Sequence, residues 1–115
     1  MSPAAAMLSQ ARDLLLKGWC QGVQARDGSG GEVPAWSSEA ASWSLLGAVL
    51  ASWNAAARDI SVVGHSLDAR ALGDATEALG QATGTAALDG WNDAAGRTPA
   101  EVIAAVDRAL ELLES

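Results

Sequence analysis

The sequence predicts a mainly α-helical domain of four helices, with a short β-hairpin between the first two helices. Half of the 115 residues are apolar, with Ala the most frequent among them. In four separate stretches the apolar residues recur at spacings of three and four, as on the buried face of a helix. A chain of this length buries a core without disulfides or metals. We therefore expect residues 1–115 to form one globular domain.

The first two helices are predicted from their end signals and apolar spacing. Pro3 favours the first position of a helix, and Lys17 and Gly18 favour an end near Lys17 with Gly18 in the left-handed conformation. The second helix is expected to open near Ser37 or Ser38, with Glu39 in its first turn. Its apolar stripe then consists of Trp43, Leu46, Leu50, Trp53 and Ala57. This spacing predicts that both Trp side chains lie on one buried face.

The third and fourth helices follow from the same kind of evidence. The third is predicted from about Leu67 to Ala82, with Leu72, Ala75 and Leu79 facing inward. The fourth begins after Thr98, because Thr98, Pro99 and Glu101 form a capping box with Pro at the first helical position. It is expected to end near Leu113, and its apolar face consists of Val102, Ile103, Val106, Leu110 and Leu113.

The segment between the first two helices has a different composition and predicts the hairpin. Residues 19–26 are compatible with an extended strand, and Asp27-Gly28-Ser29-Gly30-Gly31 is typical of a turn. Glu32-Val33-Pro34 then returns as a short partner strand.

Charge and cysteine content exclude several classes of partner and compartment. The net charge is −7, and the seven basic residues are scattered, so we expect no direct nucleic-acid contact and no binding to an anionic membrane. This charge favours a basic protein partner. One cysteine, no signal peptide and no apolar run of about 20 residues predict a cytoplasmic protein.

The sequence contains no credible catalytic constellation, so the protein is predicted not to be an enzyme. Gly64-His65-Ser66 resembles half of a serine-hydrolase elbow, but Asp68 stands where its second glycine is required. The single Cys20 is most simply a buried apolar residue. One Cys and one His cannot complete a zinc site, and residues 27–38 lack the spacing of a calcium loop. We therefore expect neither a metal nor a cofactor.

The first candidate binding surface is the loop Trp91–Arg97, where four chemically distinct side chains are close together. They are Trp91, Asn92, Asp93 and Arg97. In one interpretation Asn92 or Asp93 forms an Asx-turn, and Arg97 pairs with a carboxylate while its stem covers Trp91. In the other, Trp91 and Arg97 present a stacking and charged surface to a partner.

The second candidate surface is the acidic end of the fourth helix, with Asp107, Glu111 and Glu114. Anions near a helix C-terminus oppose its dipole, and Asp107 repels Glu111 at a spacing of four. This arrangement favours a role in recognising a basic partner. A solvated terminus that keeps the protein soluble is the other interpretation.

Several spaced motifs together resemble an uncharacterised domain family of bacteria and phages. They are Gly18–Gly22, Ala25–Asp27, Ser38–Trp43, Leu46–Ala48, Trp91–Asp93, Gly96–Thr98, Glu101–Val102 and Asp107–Ala109. The resemblance covers most of the chain and implies no known activity. Residues 54–68 match nothing in the pattern and are interpreted as an insertion.

These observations lead to a ranked set of functions. We expect first a non-enzymatic, acidic protein-interaction module, of which a phage or mobile-element inhibitor that binds a host protein stoichiometrically is one form. The alternative is a small-ligand or nucleotide-binding protein that uses Trp stacking, and an enzyme with an unrecognised site ranks third. The sequence is compatible with both a monomer and a homodimer.

Overall fold

The computed structural model describes residues 2–58 and 65–114, with the side chains of 56–58 and 65–68 left out of the description. This part of the chain forms five helices and a three-stranded sheet, so it is mainly helical, as predicted. In chain order the elements are α1 (Pro3–Lys17), β1 (Ala25–Asp27), β2 (Glu32–Val33), β3 (Ala40–Trp43), α2 (Leu45–Arg58), α3 (His65–Thr83), α4 (Leu88–Asn92) and α5 (Pro99–Glu114). Helix α1 contacts α2, α3 and α5 and so lies at the centre of the helical layer.

Helix α1 has the predicted bounds, but it ends differently from the prediction. The Ser2 hydroxyl accepts a hydrogen bond from the Ala5 N–H at 3.1 Å and caps the helix start. Gly18 is extended (φ −178°) and not left-handed. The reason is a close backbone approach, because the Trp43 N–H donates to the Gly18 carbonyl at 3.0 Å. A Cβ at Gly18 would overlap the backbone oxygen of Ala41.

The predicted hairpin is present as strands β1 and β2, which pair antiparallel with Ala25 opposite Val33. Asp27 organises the turn between them. Its Oδ1 accepts hydrogen bonds from the Ser29 hydroxyl at 2.8 Å and from the Ser29 and Gly31 N–H groups at 2.9 Å each. These bonds, led by the one from the Ser29 hydroxyl, lower the pKa of Asp27.

The second helix begins at Leu45, so the prediction of a start near Ser37 or Ser38 is wrong. The intervening residues form strand β3, which pairs antiparallel with β1 and gives the strand order β2-β1-β3. Ser37 accepts a hydrogen bond from the Glu39 N–H in a turn. Ser44 is the residue that caps α2, since its hydroxyl accepts from the Gly47 N–H at 3.0 Å.

The buried face of α2 is displaced from the predicted stripe. Leu45, Ala48, Val49 and Ser52 are the buried side chains, whereas Leu46, Leu50 and Trp53 are only half-buried. Trp43 is buried as predicted, but it belongs to β3, so the two Trp side chains do not share a helix face. The predicted inward side chain of Ala57 lies outside the described residues.

Helices α3 and α5 agree closely with the predictions, and α5 begins with the predicted capping box. The Glu101 N–H donates to the Thr98 hydroxyl at 3.2 Å, and the Thr98 N–H donates to the Glu101 carboxylate at 2.9 Å. The short helix α4 replaces part of a predicted loop. Residues 60–64 of the elbow-like motif, and the side chains of His65 and Ser66, lie outside the described residues.

The core fills the space between the four long helices and the sheet. Its largest fully buried apolar side chains are Leu8, Leu45, Val49, Leu79, Val102 and Val106. None of the helices in the described ranges is long and apolar enough to cross a membrane.

Candidate functional site

In the predicted Trp91–Arg97 surface, the Arg97 side chain is largely occupied by contacts within the fold. The Arg97 guanidinium stacks over the Trp91 ring, 3.9 Å from its centroid. Its Nε donates to the Trp91 carbonyl at 2.9 Å, and its Nη1 lies 3.4 Å from the Glu101 carboxylate. This confirms the interpretation that Arg97 covers Trp91 and pairs with a carboxylate. The Arg97 side chain is only 19% exposed, which leaves little of it for a partner.

Asn92 lies inside the molecule, so its assignment to a binding surface is corrected. The residue is fully buried. Its Oδ1 accepts hydrogen bonds from the Trp19 indole N–H at 2.7 Å and from the Leu45 N–H at 3.0 Å. Its Nδ2 donates to the Cys20 carbonyl at 3.1 Å. The single turn of α4 directs this amide inward. There it joins α4 to residues 19–20 and to the start of α2, which are both distant in sequence.

Neighbouring hydrogen bonds extend this connection into a clasp, which we define as residues 19–22 held against residues 91–94. The Gly22 N–H donates to the exposed Asp93 carboxylate at 2.9 Å. The Gln21 amide donates to the Asn92 and Ala94 carbonyls at 3.0 and 3.1 Å. The motifs around Trp19 and Trp91 therefore have a structural role in holding α4 against the rest of the fold.

Cys20 sits within the clasp, and its thiol is poorly suited to chemistry. The residue is 8% exposed, and its Sγ lies 3.8 Å from the Val23 carbonyl. Burial raises the pKa of the Cys20 thiol, which favours the unreactive protonated form. Within the described residues, no three His, Cys, Asp or Glu side chains are grouped to hold a metal ion.

The acidic residues of α5 have different environments. Asp107 forms an ion pair with Arg12 of α1, with 2.6 Å between Oδ1 and Nε and 3.4 Å between Oδ2 and Nη2. Asp107 thus links two helices, so part of its carboxylate is already used within the fold. Glu111 and Glu114 are exposed. These two side chains remain accessible for contact with a partner.

The structure reveals a groove that the sequence analysis did not identify. It is open to solvent, encloses about 650 Å³ and lies between α1, the β2–β3 connection and α2. We call it the Trp36 groove, and its described lining is Gln10, Asp13, Leu14, Ala35, Trp36, Ser37, Trp43, Ala51, Ser52, Asn54 and Ala55. Its volume is within the usual range for ligand pockets, about 300–1,000 Å³.

Trp36 and Trp43 give the groove its aromatic character. Trp36 is 49% exposed, and the only other large apolar side chain that is exposed in the described part of the chain is Leu16. Trp43 is buried and donates from its indole N–H to the Ala35 carbonyl at 3.0 Å. This bond holds the backbone next to Trp36 in place, so the exposed indole is carried by a fixed support.

The polar groups of the described groove lining include hydrogen-bond acceptors, beside the Gln10 and Asn54 amides, which both donate and accept. Ser52 is buried and donates its hydroxyl hydrogen to the Ala48 carbonyl, which leaves its oxygen as an acceptor. Asp13 is exposed and is the only charged residue of the described lining. The two ion pairs formed among the described residues do not include Asp13.

Sequence reasoning missed the groove because its residues come from three distant segments. Trp36 lies just before the predicted start of the second helix and belongs to no apolar stripe. The absence of Trp36 from every apolar stripe was the sequence feature that could have indicated an exposed site. A large aromatic residue without a place in any helical or strand period is a candidate for the surface.

The comparisons with known proteins assign the chain to a family. A model of a family of unknown function (DUF6197) matches residues 1–112, so the chain belongs to this family. The resemblance to an uncharacterised domain family is thereby confirmed. The searches of curated proteins and of solved structures found no match to the chain.

Proposed function

We propose that this member of the family is a non-enzymatic module that binds a protein partner through the Trp36 groove. The observation that carries the proposal is the half-exposed Trp36 indole at the edge of an open groove, on a rigid support. Trp residues seated in a pocket are typical anchors of protein interfaces. A stoichiometric inhibitor from a phage or mobile element that acts on a cytoplasmic host protein is one form that this function takes.

The state of the other reactive groups supports binding in preference to catalysis. The Cys20 thiol is buried, which raises its pKa and disfavours the reactive thiolate, and the Asn92 amide is occupied in the clasp. Arg97 and Asp107 are paired within the fold. Catalysis needs a nucleophile or base within reach of a substrate, and these groups do not offer one.

A small ligand that stacks on Trp is the second candidate, because the size of the groove suits one. A nucleotide fits the groove less well than an uncharged or cationic ligand. Nucleotide phosphates are bound by cations or clustered backbone N–H groups, whereas the only charged group of the described lining is the Asp13 carboxylate.

Stoichiometric binding to a purified partner tests the proposed function. Proteins captured from the source cell by the wild-type domain are identified, purified and titrated by calorimetry against wild type and Trp36→Ala. We expect one-to-one binding that Trp36→Ala weakens and that Leu16→Ala, at the other exposed apolar residue, leaves unchanged. Equal binding by all three proteins would place the interface elsewhere. Thermal stabilisation by a metabolite, without any partner, would favour the small-ligand alternative.

A further inference from the structure

We propose that the Trp36 groove recognises an arginine side chain in a basic segment of the partner, with the guanidinium face on the Trp36 indole and its N–H groups directed to Asp13. This inference rests on the proposed function and specifies the chemistry of the partner. Three properties of the groove favour this ligand, namely its charge, its hydrogen-bond acceptors and its aromatic surface.

The charge of the groove and of the whole molecule favours a cation. Asp13 is the single charged side chain in the described lining. Because neither ion pair of the described residues includes Asp13, its carboxylate can accept an external donor. The domain carries a net charge of −7, and this field attracts a basic segment from a distance and raises its association rate.

Two acceptors of the groove are open to a ligand rich in donors, beside the amides of Gln10 and Asn54, which can donate or accept. The Trp43 indole N–H is already used by the Ala35 carbonyl, and the Ser52 hydroxyl hydrogen by the Ala48 carbonyl. Acceptor positions remain on the Ser52 oxygen and the Asp13 carboxylate. A guanidinium has five N–H donors and no acceptor, so it complements such a lining.

The exposed indole of Trp36 distinguishes a guanidinium from other cations. A planar guanidinium stacks flat on an aromatic face with all its N–H groups left at the edges to donate, whereas a tetrahedral ammonium cannot stack and turns some of its N–H groups towards the ring. The domain already contains this contact, since Arg97 lies over Trp91 at 3.9 Å and donates to two acceptors at the same time. Trp36 provides a second indole without such a cover among the described residues.

The test uses a short peptide as the probe, the acetylated and amidated sequence Gly-Arg-Gly-Arg-Gly. Its binding to the full chain is followed by the indole N–H signal of Trp36 in a ¹H–¹⁵N spectrum, at physiological salt. We expect a saturable shift of this signal. The same peptide with citrulline in place of arginine has nearly the same shape without the charge, and it should bind at least about tenfold more weakly because the ion pair and the cation–π contact are lost.

Variants then locate the site, with affinities measured by calorimetry. Trp36→Ala should weaken binding of the arginine peptide by about two- to thirtyfold, the range expected for the loss of a cation–π contact. Trp36→Phe should restore much of the affinity, because it retains an aromatic face. Asp13→Asn should weaken binding by about two- to fivefold. Glu111→Gln removes the same charge outside the groove and should have no effect.

Three results would overturn the inference. They are the absence of a Trp36 shift at millimolar peptide, equal binding of the citrulline peptide, and equal losses from Asp13→Asn and Glu111→Gln. The last would mean that the peptide senses only the net charge. If a purified partner still depends on Trp36 while the arginine peptide fails, the inference about arginine is wrong and the proposed function stands. If the partner ignores Trp36→Ala, the proposed binding site itself is wrong.

Discussion

At the scale of single residues, burial separates the side chains that hold the fold from those that can meet a partner. Asn92 and Asp93 are adjacent in the sequence, yet Asn92 is fully buried and Asp93 is exposed. The Asn92 amide satisfies the Trp19 indole and the Leu45 N–H, which would otherwise lack these partners. A buried polar group without a partner lowers the stability of the fold by about 1–3 kcal/mol, which is more than one hydrogen bond contributes to stability on average.

We therefore expect Asn92→Ala to lower the free energy of unfolding by at least about 3 kcal/mol, since it leaves several polar groups unpaired. Asp93→Ala is the comparison variant, because it removes an exposed acceptor of the same clasp, which takes hydrogen bonds from the Gly22 N–H and the Asn92 amide. It should cost only about 0.5–1.5 kcal/mol. Urea denaturation measures both values, and equal losses would show that the clasp does not depend on the buried amide.

The buried thiol of Cys20 gives a second prediction at this scale. Native protein should react slowly with iodoacetamide, and the rate should rise with the unfolded fraction as urea is added. Because the folded state holds the thiol proton more tightly, this group stabilises the fold fully below the ordinary thiol pKa, about 8.5. The contribution is lost as the pH rises above that value towards the raised pKa. Fast stoichiometric labelling of the folded protein at neutral pH would contradict this account.

At the scale of elements, the start of α2 shows how a close contact sets a boundary. The Gln24 carbonyl accepts a hydrogen bond from the Ser44 N–H at 2.9 Å and lies against Gly47 in the first turn of the helix. A Cβ at Gly47 would overlap that carbonyl. The absence of a side chain at Gly47 therefore allows the chain before β1 to pack on the helix start.

Two glycine substitutions distinguish this contact from helix propensity. Gly47→Ala should destabilise the protein by about 1–3 kcal/mol, because overpacking outweighs the gain in propensity. Gly73→Ala lies in α3, where no atom is within 4 Å of the added Cβ. It should stabilise by about 0.5–1 kcal/mol. Thermal melts of both variants provide the measurement, and a stable Gly47→Ala protein would refute the close approach.

At the scale of the whole molecule, only some of the acidic side chains form ion pairs within the described part of the fold. The Arg12–Asp107 pair joins α1 to α5, but both side chains are more than a third exposed, so solvent screening keeps its contribution to stability small. Glu111 and Glu114 remain exposed near the end of α5, where the helix dipole disfavours anions. This leaves a negative surface outside the Trp36 groove.

The double variant Glu111→Lys, Glu114→Lys should increase the free energy of unfolding by about 0.3–1 kcal/mol per site at low salt. Glu32→Lys, Glu39→Lys makes the same change in charge at exposed positions in and beside the sheet, outside the helices, and serves as the control. Only the first should show the gain from the dipole. If the first variant also weakens binding of a purified partner, the acidic end of α5 is part of the interface. Binding that does not change would confine recognition to the groove.

The sequence by itself determined the features that depend on neighbours a few residues apart. The start of α1, the capping box of Thr98 and Glu101, and the Asp27 turn all follow from contacts within four residues. The stacking of Arg97 on Trp91 belongs to the same class, since six residues separate the two side chains. Such contacts form wherever the local segment folds, so residue types and spacing predict them.

Only the tertiary structure decided where β3 lies, why Asn92 is buried and how the Trp36 groove forms. Residues 40–43 pair with β1 and are held at Trp43 by Gly18, although their apolar spacing also suits a helix. The Trp19–Asn92 bond joins residues 73 positions apart, and the groove combines three separate segments. In each case the favourable free energy comes from partners that are distant in sequence, and local propensity is too weak to oppose them.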